Sequence, residues 1–191
     1  NTTNAPITAT ITVTPEAGNC PGIAKTFTIT VNPTPTAVIT ASGPLSICQG
    51  SSVTLSSNDA KTYQWSNNAS TKSITVSNAG TYSLIVTDSI GCVSSSTQKI
   101  VVVNQNPILK LSANGPLTFC QGKSVTLSTT FNGNYLWSDK STTQSINVNG
   151  SGIYFVKGTD ANGCSANSDS MAVSVTVLPQ QKISSSGNTT F

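Results

Sequence analysis

The 191 residues contain no histidine, and all nine cationic side chains are lysine. Without imidazole the chain lacks the commonest general base and metal ligand. Without guanidinium it lacks the bidentate fork that reads guanine or phosphate. Charge of either sign is scarce, at 8% of residues with a net charge of +3, too little and too scattered for a nucleic-acid footprint. No apolar run approaches the roughly 18 residues of a membrane-spanning helix, and Asn1 does not open a signal peptide. Direct membrane insertion is therefore not expected of this stretch, and any export signal or anchor is expected outside it. No close carboxylate pair and no serine with a plausible base supports catalysis, so the expectation is a non-enzyme without cofactors.

What is present is β-forming. Val, Ile and Thr alternate along most of the chain, which separates it from low-charge disordered sequences. "SVTLS" at 52–56 and again at 124–128 places Val and Leu on one face and hydroxyls on the other. "YQWS" and "YLWS" follow, then "SITV" and "SINV", then "GTYSLIVTD" and "GIYFVKGTD", with "QKIVVVN" and "MAVSVTVLP" closing each unit. Gly, Asn and Ser clusters bound each segment, and strands this short at such regular spacing predict an all-β chain of immunoglobulin-like sandwiches, arranged as beads on a string.

The units repeat. Residues 48–92 align with 120–164 without a gap and share 21 of 45 positions, a period of 72 that marks tandem duplication. The opening "GNCPGIAKTFTITVNPTPT" resembles the end of a unit, so residues 1–34 are expected to be the last strands of a preceding domain. Residues 35–106 and 107–178 are the two complete repeats. The ending "KISSSGNTTF" matches "VITASGPLSIC" and "KLSANGPLTFC" up to their cysteines, so 179–191 is expected to be linker and first strand of a following repeat. Short Pro-bearing linkers favour semi-rigid spacing.

Trp65 and Trp137 are expected in the sandwich cores, with sugar stacking as the sharper alternative. Tyr82 and Tyr154, each two positions after a glycine, resemble tyrosine corners. Asp88 and Asp160, in "TDSIGC" and "TDANGC", are placed to hold turns. Calcium would need clustered carboxylates, and these segments offer one each. Five cysteines without the CxxC spacing of a zinc site point to disulfides and an oxidising compartment. The simplest rule is one bond per repeat, Cys48 with Cys92 and Cys120 with Cys164, worth roughly 4 kcal/mol by loop-closure entropy. Cys20 is then left without a partner. A strict seven-strand order sets the members of each pair at opposite ends; a strand missing near 67–72 and 139–144 is the feature that could bring them together.

The string C-Q-G-x-S-V-T-L, Y-x-W-S, S-I-x-V, G-x-Y, T-D-x-x-G-C resembles the immunoglobulin-like and PKD-like repeats of giant cell-surface proteins of Bacteroidota, including gliding-motility adhesins of the SprB kind. The opening "NAPITATITVTPEAGNCPGIAKTFTITVNPTPT" is similar to the end of a PKD-like module. The resemblance implies export by type IX secretion, display outside the outer membrane, and a stalk or adhesin role. The partners it implies are neighbouring repeats, the secretion machinery, and a surface polysaccharide or substratum. It also implies O-glycosylation where Asp precedes Ser or Thr and then a small or apolar residue, making Ser89 in "DSI" and Ser170 in "DSM" candidate acceptors. Asn68 and Asn188 fit the N-glycan pattern of eukaryotes, which a bacterial host would not normally use.

Two functions stay in view. One is a structural and adhesive repeat holding a binding tip away from the cell. The other is a carbohydrate-binding accessory module of a secreted polysaccharide-degrading enzyme, which predicts exposed aromatics on one face. Phe131 and Phe155, absent from the first repeat, are the residues that would serve it.

Overall fold

The computed structural model describes residues 1, 3 and 5–181, so the expected start of a following repeat at 182–191, with Asn188, lies outside the described residues. Those described form strands and turns and no helix. Four strands come first: β1 (Ile7–Val13), β2 (Glu16–Ala17), β3 (Cys20–Pro21) and β4 (Lys25–Val31). Nine follow: β5 (Ile39–Ala41), β6 (Ser46–Cys48), β7 (Val53–Ser57), β8 (Thr62–Trp65), β9 (Ser73–Val76), β10 (Gly80–Tyr82), β11 (Leu84–Thr87), β12 (Val93–Ser95) and β13 (Lys99–Asn104). The last nine are β14 (Leu111–Ala113), β15 (Thr118–Cys120), β16 (Val125–Thr129), β17 (Asn134–Trp137), β18 (Ser145–Val148), β19 (Gly152–Tyr154), β20 (Val156–Thr159), β21 (Ser165–Asn167) and β22 (Met171–Thr176). Every boundary in this last set falls one sequence period after its counterpart, from Ile39 and Leu111 at the start to Asn104 and Thr176 at the end. The chain divides into two compact units, the first ending at Val103 and the second beginning at Asn104.

Each nine-strand set is an immunoglobulin-like sandwich. One sheet has the order β5-β7-β9, repeated as β14-β16-β18, all antiparallel. Opposite it lie β8-β11-β12 and β10-β13-β6, which share two long strands, since only Ser83 separates β10 from β11 and only 96–98 separate β12 from β13. The pairing slips by one residue at that break, from Tyr82↔Lys99 to Ile85↔Ser95, as a bulge requires. Ser96 bridges the slip: its N–H donates to the Leu84 carbonyl at 2.8 Å and its Oγ accepts the Leu84 N–H at 3.0 Å. Ser168 does the same for Val156, at 2.9 and 3.0 Å. Between β8 and β9 the chain crosses from one sheet to the other with no intervening strand.

Alternation then builds the core. In β7 the pattern buries Val53, Leu55 and Ser57 and leaves Thr54 and Ser56 half-exposed. Ile74, Val76 and Ile39 extend that layer, while Trp65, Leu84, Val86 and Val101 face it from the other sheet. The second sandwich repeats this with Val125, Leu127, Ile146, Val148, Trp137, Val156 and Val173.

The two cores differ in one compensated place. Gly158 stands where the first repeat has the buried Val86, and a Cβ there would meet Leu109 Cδ2 at 2.5 Å and the Phe131 ring at 2.8 Å. Leu109 and Phe131 replace Ala37 and Asp59 of the first repeat. Volume lost on β20 is thus refilled from two loop segments, the one before β14 and the one between β16 and β17, which keeps the interior closely packed. Phe131 also stacks edge-on against Tyr135, with ring centres 6.1 Å apart.

Candidate functional site

The repeat cysteines and aspartates singled out by sequence lie in two kinds of turn, one at each end of a sandwich. The T-D-x-x-G-C segment closes the hairpin β11–β12, where Asp88 N–H donates to the Cys92 carbonyl at 3.0 Å. Asp88 Oδ1 accepts the N–H groups of Ile90 at 3.0 Å and Cys92 at 2.9 Å. Gly91, at φ 92°, supplies the left-handed residue that a three-residue hairpin loop needs before its closing pair. Asp160, Gly163 and Cys164 rebuild this turn, with Asp160 Oδ1 accepting from Asn162 at 2.9 Å and Cys164 at 2.8 Å. Each carboxylate is therefore committed to backbone. Among the described residues no three His, Cys, Asp or Glu side chains gather where a metal could be held.

The C-Q-G segment makes the other turn. Ser51 N–H donates to the Cys48 carbonyl at 2.9 Å with Gly50 at φ 86°; Lys123 donates to Cys120 at 3.1 Å with Gly122 at φ 89°. A shallow polar cleft opens beside the second of these, lined by Gln121, Lys123, Ser124, Asn147 and Asn149.

The cysteines do not pair as one bond per repeat. Cys92 and Cys120 carry free thiols, as does the exposed Cys20, whereas Cys48 and Cys164 are disulfide-bonded. The pairings Cys48–Cys92 and Cys120–Cys164 are thereby corrected, and strand register gives the reason. Cys120 lies opposite Thr176, at the far end of β22; the near end of β22, Met171, lies opposite Tyr154. Cys164 sits beyond the other end of the next strand, past Thr159. At roughly 3.3 Å per residue the two cysteines are on the order of 30 Å apart along the strands, far outside the roughly 7 Å Cα limit of a disulfide. The first repeat has the same strand order. Loss of a strand between β8 and β9 removes material from the side of the sandwich and leaves its length unchanged.

Trp65 and Trp137 are 1% and 2% exposed. Their indole N–H groups donate to the carbonyls of Thr71 at 2.8 Å and Thr143 at 2.7 Å, inside the loop that crosses between sheets. Neither face is open to a sugar ring. Tyr82 and Tyr154 are half-buried and donate to backbone carbonyls one short loop upstream, Asn78 at 3.0 Å and Gly150 at 3.2 Å. Ser89, in the hairpin loop, and Ser170, before β22, are exposed, as is Asn68, which adopts φ 66°. Of the two aromatics considered for sugar binding, Phe131 is half-buried and packs against the second core, and Phe155 is the more open, at 37%.

Sequence reasoning did not single out the face of β1 and β4. Among the described residues these strands pair with each other alone, with Ile7 opposite Val31 and Ile11 opposite Phe27. Ile7, Ile11, Val13, Phe27, Ile29 and Val31 share one side of the ribbon and all are exposed; threonines fill the other. The signal was present in the strict alternation of "ITATITV" and "KTFTITV".

The architecture is that of an immunoglobulin-like β-sandwich protein. Solved structures similar to it include murine CEACAM1b, with 13% identity over 74% of this chain and 100% of that one, at a TM-score of 0.36. Three N-terminal domains of the Highly Immunogenic Outer Capsid protein of bacteriophage RB49 match with 20% identity over 73% and 59% of the two chains, at 0.38. Fibronectin(III)-like modules of Clostridium thermocellum CbhA match with 12% identity over 78% and 100%, at 0.37. No protein-family profile matches the chain, and no curated protein matches its sequence.

Proposed function

We propose that this chain is a non-catalytic segment of a large bacterial surface protein, in which repeated sandwiches hold an adhesive region away from the cell. The observation that carries this reading is the duplication itself: two nine-strand sandwiches in which every strand boundary of the first recurs one period later in the second. Such duplication multiplies length without adding a new site, which suits a spacer. The motif string supports the finer reading of a gliding-motility type adhesin exported by type IX secretion, with domains bounded near 34, 106 and 178. Exposed Ser89 and Ser170 support O-glycosylation at those residues. A carbohydrate-binding accessory module is the second reading, favoured by the amide-lined cleft beside Cys120.

The test is an in-frame deletion of one repeat, 107–178, in the producing organism. A spacer loses reach in steps while remaining folded, exported and open to protease on intact cells. Complete loss of attachment on removal of one repeat, together with glycan binding by the isolated chain, would favour the module.

A further inference from the structure

The repeat has two cysteine positions: the entry cysteine of the C-Q-G turn, Cys48 or Cys120, and the turn cysteine of T-D-x-x-G-C, Cys92 or Cys164. In each repeat one is bonded and the other free, but not the same one: Cys48 and Cys164 are bonded, Cys92 and Cys120 free. The strand register excludes a bond between the two cysteines of one repeat, so the rule these positions follow cannot be one of self-pairing. The backbone that carries a bonded cysteine is reproduced around each free one. Cys48 and Cys120 both accept a turn hydrogen bond, at 2.9 and 3.1 Å, ahead of a left-handed glycine. Cys92 and Cys164 both donate to an aspartate Oδ1, at 2.9 and 2.8 Å.

We propose that the free thiols of Cys92 and Cys120 are covalent attachment points for further copies of this repeat: Cys120 bonds a turn cysteine of another copy, and Cys92 an entry cysteine of another. This rests on the repeat-array reading. Neither thiol stands alone as evidence, because its repeat equivalent in the same chain is already in a disulfide. The thiol is accessible at Cys120, which is exposed, and half-accessible at Cys92. The chemistry is thiol–disulfide exchange with a small-molecule disulfide such as oxidised glutathione. The Cys120 thiolate attacks the oxidant, displaces one thiol and forms a mixed disulfide. The turn cysteine of the second copy then attacks the Cys120 sulfur and displaces the other thiol. Two protein thiols are oxidised and one disulfide oxidant is reduced to two thiols.

The experiment is performed on the full polypeptide as its cells make it, quenched with N-ethylmaleimide without reductant, digested and sequenced by mass spectrometry. The expected result joins the Cys120 peptide to a T-D-x-x-G-C peptide and the Cys92 peptide to a C-Q-G peptide, each from another copy of the repeat. Covalent dimers of the whole polypeptide on a non-reducing gel would place that copy on a second chain; their absence would place it further along the same one. Maleimide on Cys120 and Cys92 while further repeats appear in the digest overturns the ladder and leaves the array reading intact. A Cys48–Cys92 or Cys120–Cys164 peptide overturns it too. A digest with no further repeats overturns both. Cys120→Ser should expose one new thiol on the partner copy without moving the thermal midpoint of its own sandwich; a shifted midpoint with no new thiol would make Cys120 a folding residue and sink the proposal.

Discussion

Single residues carry costs that the duplication makes measurable, because each has a counterpart in the same chain. Lys140 occupies φ 74°, where the first repeat has Asn68 at φ 66°. A left-handed lysine costs roughly 1–2 kcal/mol, and asparagine bears that conformation more easily. Lys140→Asn should therefore stabilise the second sandwich, by up to about 1 kcal/mol in chemical denaturation. Trp65→Ala removes the largest buried side chain of the first core and should cost roughly 3–5 kcal/mol, with its own unfolding transition as the readout. Gly158→Val forces a side chain against Leu109 and Phe131, and overpacking of this kind costs about 1–3 kcal/mol.

The surface pair Asp59–Lys72 acts on pH. The hydrogen bond and charge of Lys72 hold the Asp59 carboxyl below its ordinary range, and Asp59 holds the Lys72 ammonium above its own. The carboxylate's contribution is present above its unfolded pKa and is lost as pH falls through the lowered folded value. The ammonium's is present below its unfolded pKa and is lost as pH rises through the raised one. Both side chains are exposed, so salt screens the pair. In Lys72→Met the Asp59 titration, followed by carboxyl-carbon NMR, should move upward; an unmoved midpoint would show that the pair is not formed in solution.

Elements were legible where alternation was strict. "SVTLS" became β7 and β16, and the glycine-bounded segments became the strands that face them. The missing strand near 67–72 could be suspected from spacing alone. The opposite ends at which the cysteines of a repeat fall were legible in the strand order; what misled was the missing strand, whose loss leaves the length of the sandwich unchanged, and what spacing could not give was the crossing of β6 and β15 to the opposite sheet, where β15 runs parallel to β22. Phe131 was illegible for a similar reason: its space is created by Gly158, distant in sequence and on another strand. The ribbon of β1 and β4 makes its own prediction. Its exposed apolar side should bind a hydrophobic dye such as ANS in the native protein, and Ile11→Lys with Phe27→Lys should abolish most of that signal without altering the two sandwiches.

For the whole molecule, thiol counting separates the two disulfide arrangements. The 191 residues produced alone, without further copies of the repeat to bond, should yield three thiols to Ellman's reagent, from Cys20, Cys92 and Cys120, with Cys92 slowest because it is half-buried. One bond in each repeat would leave one. Reduction should spare the tryptophan environment, since both cores close over Trp65 and Trp137 without a staple inside the repeat; a red-shifted emission in reductant would contradict this.

The compensated core bears also on how such a chain reaches its fold. Neighbouring copies of one sequence can exchange strands while folding, a characteristic failure of repeat proteins. Here an exchanged Val156–Thr159 would bring Gly158 to the place of the fully buried Val86 and leave a void in the first core. The reverse exchange would drive Val86 into Leu109 and Phe131. Divergence at Val86 and Gly158, with the Leu109 and Phe131 that fill the space over the glycine, thus works as a proofreading code: each copy accepts its own strand and rejects its neighbour's, although the surfaces that guide pairing are nearly the same.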